Sequence, residues 1–175
     1  MWSVGGVRGQ CALFVVCVLV LGCSGTVPDP RILTEPLLVD AELDSEQRAD
    51  VQAAVDLWSD ATEGRFAPQL VFGPVTCGES FAIEAVHTPA CFVGQKFATS
   101  DGRILQVRGA TDPDEHSVAV AAWLAGRGFR DTVAHELGHY LLLGHGEGIM
   151  SQREGRDSSE VAPSSISEFC DIWGC

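Results

Sequence analysis

The chain is short of positive charge. Eleven Lys and Arg stand against 24 Asp and Glu in 175 residues, a formal net charge of −13. A nucleic-acid partner needs a basic patch to neutralise phosphates, so the composition argues against that class. The acidity says little more, because acidic surfaces mostly serve solubility. Long hydrophobic runs are also lacking. The longest, Cys11 to Leu21, is too short to cross a bilayer, which takes about 20 apolar residues. No Cys-x-x-Cys pair occurs, which argues against a cysteine-ligated structural zinc site. There is no internal repeat and no sign of a second domain; the length suits one domain with a real core. Methionine is confined to Met1 and Met150, and Tyr140 is the single tyrosine. Of five histidines, His135, His139 and His145 fall within one short stretch.

The N-terminus reads as a targeting segment. Arg8 is the only charged residue before Asp29, and the apolar run after it has the length of a signal-peptide core. The run closes on Val20-Leu21-Gly22-Cys23-Ser24. This resembles the bacterial lipobox, in which the Cys becomes the lipidated first residue of the mature protein. The resemblance implies a signal peptide over residues 1–22, a lipid on Cys23 and an exported protein anchored to the cell envelope without spanning it. Ser24 resembles the residue found in lipoproteins sent to the outer rather than the inner membrane. Plain secretion is the alternative. Residues 23–36 carry Pro, Gly and Thr and read as a tether. Export suits disulfides, and Cys77, Cys91, Cys170 and Cys175 remain after the signal and anchor are set aside. Their pairing is open in three ways. Cys77–Cys91 with Cys170–Cys175 is preferred, the first stapling a loop and the second the C-terminus.

The centre of the chain is His135-Glu136-Leu137-Gly138-His139, with His145 six residues on. On a helix, His135 and His139 are one turn apart on one face, so both imidazoles can reach one cation. Glu136 points elsewhere, toward where a water at that cation needs a general base. His145 follows Gly144, where the chain can leave the helix and return a third nitrogen. Three protein ligands with one open position is the pattern of a catalytic zinc site.

This stretch resembles the long zinc signature of the metzincin metalloproteases, His-Glu-x-x-His-x-x-Gly-x-x-His, closest to small matrixin-like members. It departs at Leu142, where the family has a Gly that ends the helix. Gly144 is expected to make the turn two residues later. Met150, in Gly148-Ile149-Met150, resembles the methionine that lies beneath the metal in the family. The resemblance implies an α+β zincin domain over residues 37–175: a twisted mixed sheet, a long backing helix, an active-site helix and a C-terminal helix.

The rest of the sequence can be laid on that plan. Leu37–Val39 reads as the first strand. Residues 44–62 form a helix capped by Asp44 or Ser45, with Val51, Ala54, Val55, Trp58 and Ala61 as its core stripe. Gln69–Phe72, Phe81–Val86 and Ile104–Val107 read as strands. In the family a sheet edge binds the substrate backbone, and Ile104–Val107 is the guess for it. Ser117–Ala125 is a buried strand or short helix. The active-site helix is expected to start near Arg130 or Asp131, with Val133, Leu137, Tyr140, Leu141 and Gly144 as its packing face. Ser165 and Glu168 form a capping box opening a last helix. His116 as a replacement ligand, Glu147 as a ligand, and calcium at Asp112, Asp114 and Glu115 are minor alternatives. The acidic stretch is otherwise a solvated turn.

The expected function is a monomeric zinc endopeptidase acting on protein or peptide. His135, His139 and His145 hold one Zn2+, and Glu136 is the general base. The alternative is a catalytically inactive zinc-containing lipoprotein that binds a partner at the surface.

Overall fold

A computed structural model of the chain describes residues 28–76, 82–86, 96–98, 104–106, 108–112, 114, 116–151 and 159–175. Residues 1–22, expected as a signal peptide, and Cys23, Cys77 and Cys91 lie outside them. The described part is mixed α+β. Its strands are β1 (Leu37–Asp40), β2 (Leu70–Gly73), β3 (Ala82–Val86), β4 (Lys96–Ala98), β5 (Ile104–Gln106), β6 (Gly109–Asp112) and β7 (Ser117–Ala121). Its helices are α1 (Ser45–Ala61), α2 (Gly126–Tyr140) and α3 (Pro163–Trp173). No helix is long and apolar enough to cross a membrane among the described residues.

Five strands form one sheet in the order β2-β1-β3-β7-β6. The β1–β2, β1–β3 and β3–β7 pairs are parallel, and β6 runs antiparallel along β7 at the edge. Parallel neighbours need a crossover, and α1 supplies the first, between β1 and β2. Among the described residues β4 and β5 pair with each other alone, as a separate antiparallel ribbon.

α1 forms where its pattern places it. Asp44 caps it, accepting from the Glu46 and Gln47 amides at 2.9 and 2.8 Å, while the Gln47 side chain accepts from the Asp44 amide. This reciprocal capping box satisfies donors that every helix start leaves orphaned. Val51, Ala54, Val55 and Trp58 are buried as one stripe. The Trp58 ring reaches α2, where its Nε1 donates to the Ala134 carbonyl at 2.7 Å. Within the stretch expected as tether, Pro30–Leu33 makes a short 3-10 turn with Ile32 fully buried. The Leu33 carbonyl accepts from the Ala67 amide at 3.1 Å.

Several boundaries differ from expectation. β7 stops at Ala121, and Ala122–Trp123 turns the chain into α2. α2 starts at Gly126, four residues before Arg130, and Phe129 is buried on its first turn. Gly126 and Gly128 stand in its first turn, where glycine is least costly because the amides there lack intrahelical partners. Gly126 uses its freedom with φ of 53°. α3 begins at Pro163, not at a Ser165–Glu168 capping box. Proline's fixed φ suits the first helical position, and Ser165 is buried with its amide bonded to the Ala162 carbonyl. Cys170 and Cys175 form a disulfide at the end of α3, as preferred from the sequence.

Trp58→Phe removes a buried side-chain hydrogen bond from α1 into α2 and part of a buried ring. Stability to urea should fall by roughly 1–3 kcal/mol, with the cooperativity of unfolding unchanged.

Candidate metal centre

The three histidines meet. His139 Nε2 lies 3.2 Å from His135 Nε2 and 3.1 Å from His145 Nε2. They are the one group of three or more His, Cys, Asp or Glu able to share a metal ion among the described residues. Helical spacing places the first two. Their ring directions are set by carbonyls: His135 Nδ1 lies 2.7 Å from the Ile149 carbonyl and His139 Nδ1 lies 2.8 Å from that of Leu143. A carbonyl oxygen only accepts, so each Nδ1 carries the proton and each Nε2 keeps its lone pair. Converging lone pairs repel unless a cation lies between them. Tetrahedral zinc with Zn–N of about 2.0–2.1 Å sets its nitrogens about 3.3 Å apart, so this donor set fits. His145 is the exposed member, so the site opens to solvent on its side.

The turn that brings His145 back is not where the sequence predicts. α2 ends at Tyr140, and Leu142 itself takes the left-handed conformation, with φ of 68°. Gly144 is therefore not the turning residue; it is exposed and outside the packing face. A left-handed residue with a Cβ costs about 1–2 kcal/mol, which the surroundings of Leu142 must offset. Val133, Leu137, Tyr140 and Leu141 are buried as expected.

Met150 packs against α2 at Gly138. It is fully buried, and a Cβ at Gly138 would collide with its Sδ and Cε and with the Trp58 ring. Gly138 is buried between His135 and His139, and glycine here lets the methionine and Trp58 approach the helix backbone. The segment after His145 is a tight turn. The Gly146 amide donates to the Met150 carbonyl at 3.0 Å, and the Met150 amide donates to that of Glu147 at 3.2 Å. Gly148 has φ of 62°, and a Cβ there would lie 2.6 Å from the Glu160 carbonyl.

Glu136 is nearly buried between α2 and β6. Thr111 Oγ1, on β6, lies 2.9 Å from both the backbone carbonyl and Oε2 of Glu136, and its proton can go to either. Gly109 passes so close that a Cβ would lie 2.6 Å from Glu136 Cγ and 2.7 Å from Oε1. Burial pushes the Glu136 carboxyl above the usual carboxylate range, against the Thr111 hydrogen bond and the field of His139, which pull it down. The edge strand beside Glu136 is β6; of the segment guessed to be the substrate edge, Ile104–Gln106 pairs with β4 in the separate ribbon, and Val107 lies outside the described residues.

The minor alternatives fall elsewhere. His116 sits at the start of β7, its ring 6.4 Å from that of Tyr140 and outside the histidine cluster. Glu147 is exposed and outside it too. Asp112 Oδ1 accepts from the Asp114 amide at 3.0 Å, an Asx turn; Glu115 lies outside the described residues. Sequence reasoning missed Gly109, Thr111 and Gly148. Gly148 alone left a signal, a glycine two residues before an isolated methionine.

No protein-family model matches the chain, and no curated protein does.

Two predictions follow from this geometry. Gly138→Ala should lower the stability of the metal-free protein by about 1–3 kcal/mol, because the rigid Trp58 ring cannot give way as Met150 can. Equilibrium unfolding measures it. The second concerns pH. Burial, then the His139 and His135 neighbours, holds the His145 ring below its usual pKa. The folded chain therefore binds fewer protons than the unfolded one just below about pH 6.5. His145 contributes stability that is complete above that pH and is lost as pH falls through its lowered value. Zinc competes with the same protons, so chelator competition should show affinity at pH 5.5 weaker than at pH 7.5 by on the order of tenfold or more.

Proposed function

We propose that this chain is a zinc-dependent endopeptidase of metzincin type. The observation that carries the reading is the convergence of three imidazole Nε2 atoms beside a nearly buried glutamate. Three further features support it. Met150 lies under the ligand helix, as the family's methionine does. The chain turns at Leu142, the position of the family's glycine, although the residue is not glycine. An antiparallel strand, β6, runs at the sheet edge next to Glu136.

His135, His139 and His145 would hold the zinc. When bound, zinc supplies a Lewis acid that polarises a peptide carbonyl and brings the pKa of water toward ~7. The chain supplies the rest. Thr111 holds Oε2 of Glu136, which leaves Oε1 to take a proton from the attacking water. The same carboxyl then passes that proton to the leaving amine. Its raised pKa makes it a better base than an exposed glutamate. β6 has β7 on one side, and an extended peptide added to its other side would run past Glu136. The proposal includes export and a lipid on Cys23 at the cell envelope, with a peptide or protein as substrate.

Cleavage of a peptide library by the zinc-loaded protein tests this, with Glu136→Ala beside it at equal zinc. The expected outcome is cleavage by wild type and a loss on the order of 10²–10⁴-fold in the variant. If both proteins hold one zinc and neither cuts, the endopeptidase reading fails and the zinc-containing binding lipoprotein takes its place.

A further inference from the structure

The turn that delivers His145 is gripped from outside the site. Leu142, with its left-handed backbone, stands between two side-chain hydrogen bonds from α3. On one side the Trp173 indole Nε1 donates to the Leu141 carbonyl at 2.9 Å. On the other the Gly144 amide donates to Glu168 Oε1 at 3.0 Å. The residue between them, Leu143, is buried, and its carbonyl is the one that orients His139. α3 is itself fastened. Phe169 is fully buried in the core, the Cys170–Cys175 disulfide closes its end, and the Arg65 guanidinium donates to the Gly174 carbonyl.

We propose that α3 is the clamp for the third metal ligand, with Glu168 and Trp173 as positioning residues that hold the Leu142 turn and so set the affinity for zinc. This rests on reading the three histidines as a metal site; it does not require peptidase activity. A residue with a Cβ stays in the left-handed region only where its surroundings over-determine it. Both bonds hold backbone atoms within two residues of Leu142, which is where such restraint acts. A glycine at this position would adopt the same φ without strain, so a glycine turn needs less support. The helix places the backbones of His135 and His139, and of these two only the ring direction of His139, through the Leu143 carbonyl, is tied to the turn. His145 comes after the turn, so its nitrogen is the one displaced when the clamp opens.

The test is zinc affinity of the purified full chain by chelator competition, with the visible spectrum of the cobalt-loaded protein as a second readout. Glu168→Ala and Trp173→Phe should each weaken zinc roughly 10–100-fold, the range seen when outer partners of metal ligands are removed. Their cobalt spectra should lose the intensity of four-coordinate sites. Glu168→Gln keeps an acceptor oxygen and should bind nearly as wild type. Adding Leu142→Gly to Glu168→Ala should recover most of the loss, because the strain is gone. Glu168 is partly exposed, so its variant should fold, and circular dichroism of the metal-free protein checks this. Wild-type affinity in Glu168→Ala and Trp173→Phe overturns the clamp, as does a loss that Leu142→Gly leaves unchanged. Wild type that binds no zinc overturns the metal-site reading itself, a result distinct from either.

Discussion

Two backbone carbonyls decide what this site can be. Those of Ile149 and Leu143 each take the Nδ1 proton of one imidazole, and that turns the opposite nitrogens toward a common point. Without them, histidines one turn apart could rotate freely and offer either nitrogen. The carbonyls come from segments beyond the helix, so the site exists only when the chain after His139 folds back correctly. Much of the remaining structure serves that return. Gly148 makes the turn that presents Ile149, and Met150 anchors the same turn under Gly138. Leu142 bends the chain so that Leu143 and His145 come back over the helix.

The environment of Glu136 shows how a sheet edge tunes a helix residue. A carboxylate in such a place loses hydration, which would push it toward the neutral form. The Thr111 hydrogen bond and the field of His139 oppose that shift. The close pass of Gly109 makes this geometry possible, because any side chain there would push β6 off the helix. One small residue on a strand thus sets how near the sheet approaches the candidate base.

Local signals were legible where local forces decide. The stripe from Val51 to Trp58 and the cap at Asp44 gave α1 nearly to the residue, since periodicity and capping act within a few turns. The strands β1, β2, β3 and β5 were also found, to within a residue or so at their ends, while Ser117–Ala125, which holds β7, was left open between strand and helix. β6 was missed because Gly109-Ala110-Thr111-Asp112 has no strand pattern; pairing with β7 holds it in place. Glu168 was read as a local cap, but it bonds instead to the amide of Gly144, far off in sequence. Local reading fails there because a long side chain can choose a distant partner once tertiary contacts form.

The sequence by itself determined the first two nitrogens and the carboxylate, because the spacing of His135, Glu136 and His139 along one helix turn needs nothing beyond helical geometry. It also favoured, among three open pairings, that of Cys170 with Cys175, since nearby cysteines meet at small entropic cost. Tertiary structure decided where the chain turns. By propensity alone Gly144 is the better turning residue, yet Leu142 makes the turn, because buried Leu141 and Leu143 and the bonds from α3 fix the backbone on either side of it. Packing outweighed the preference of a single residue, and that choice brings the third histidine to the other two.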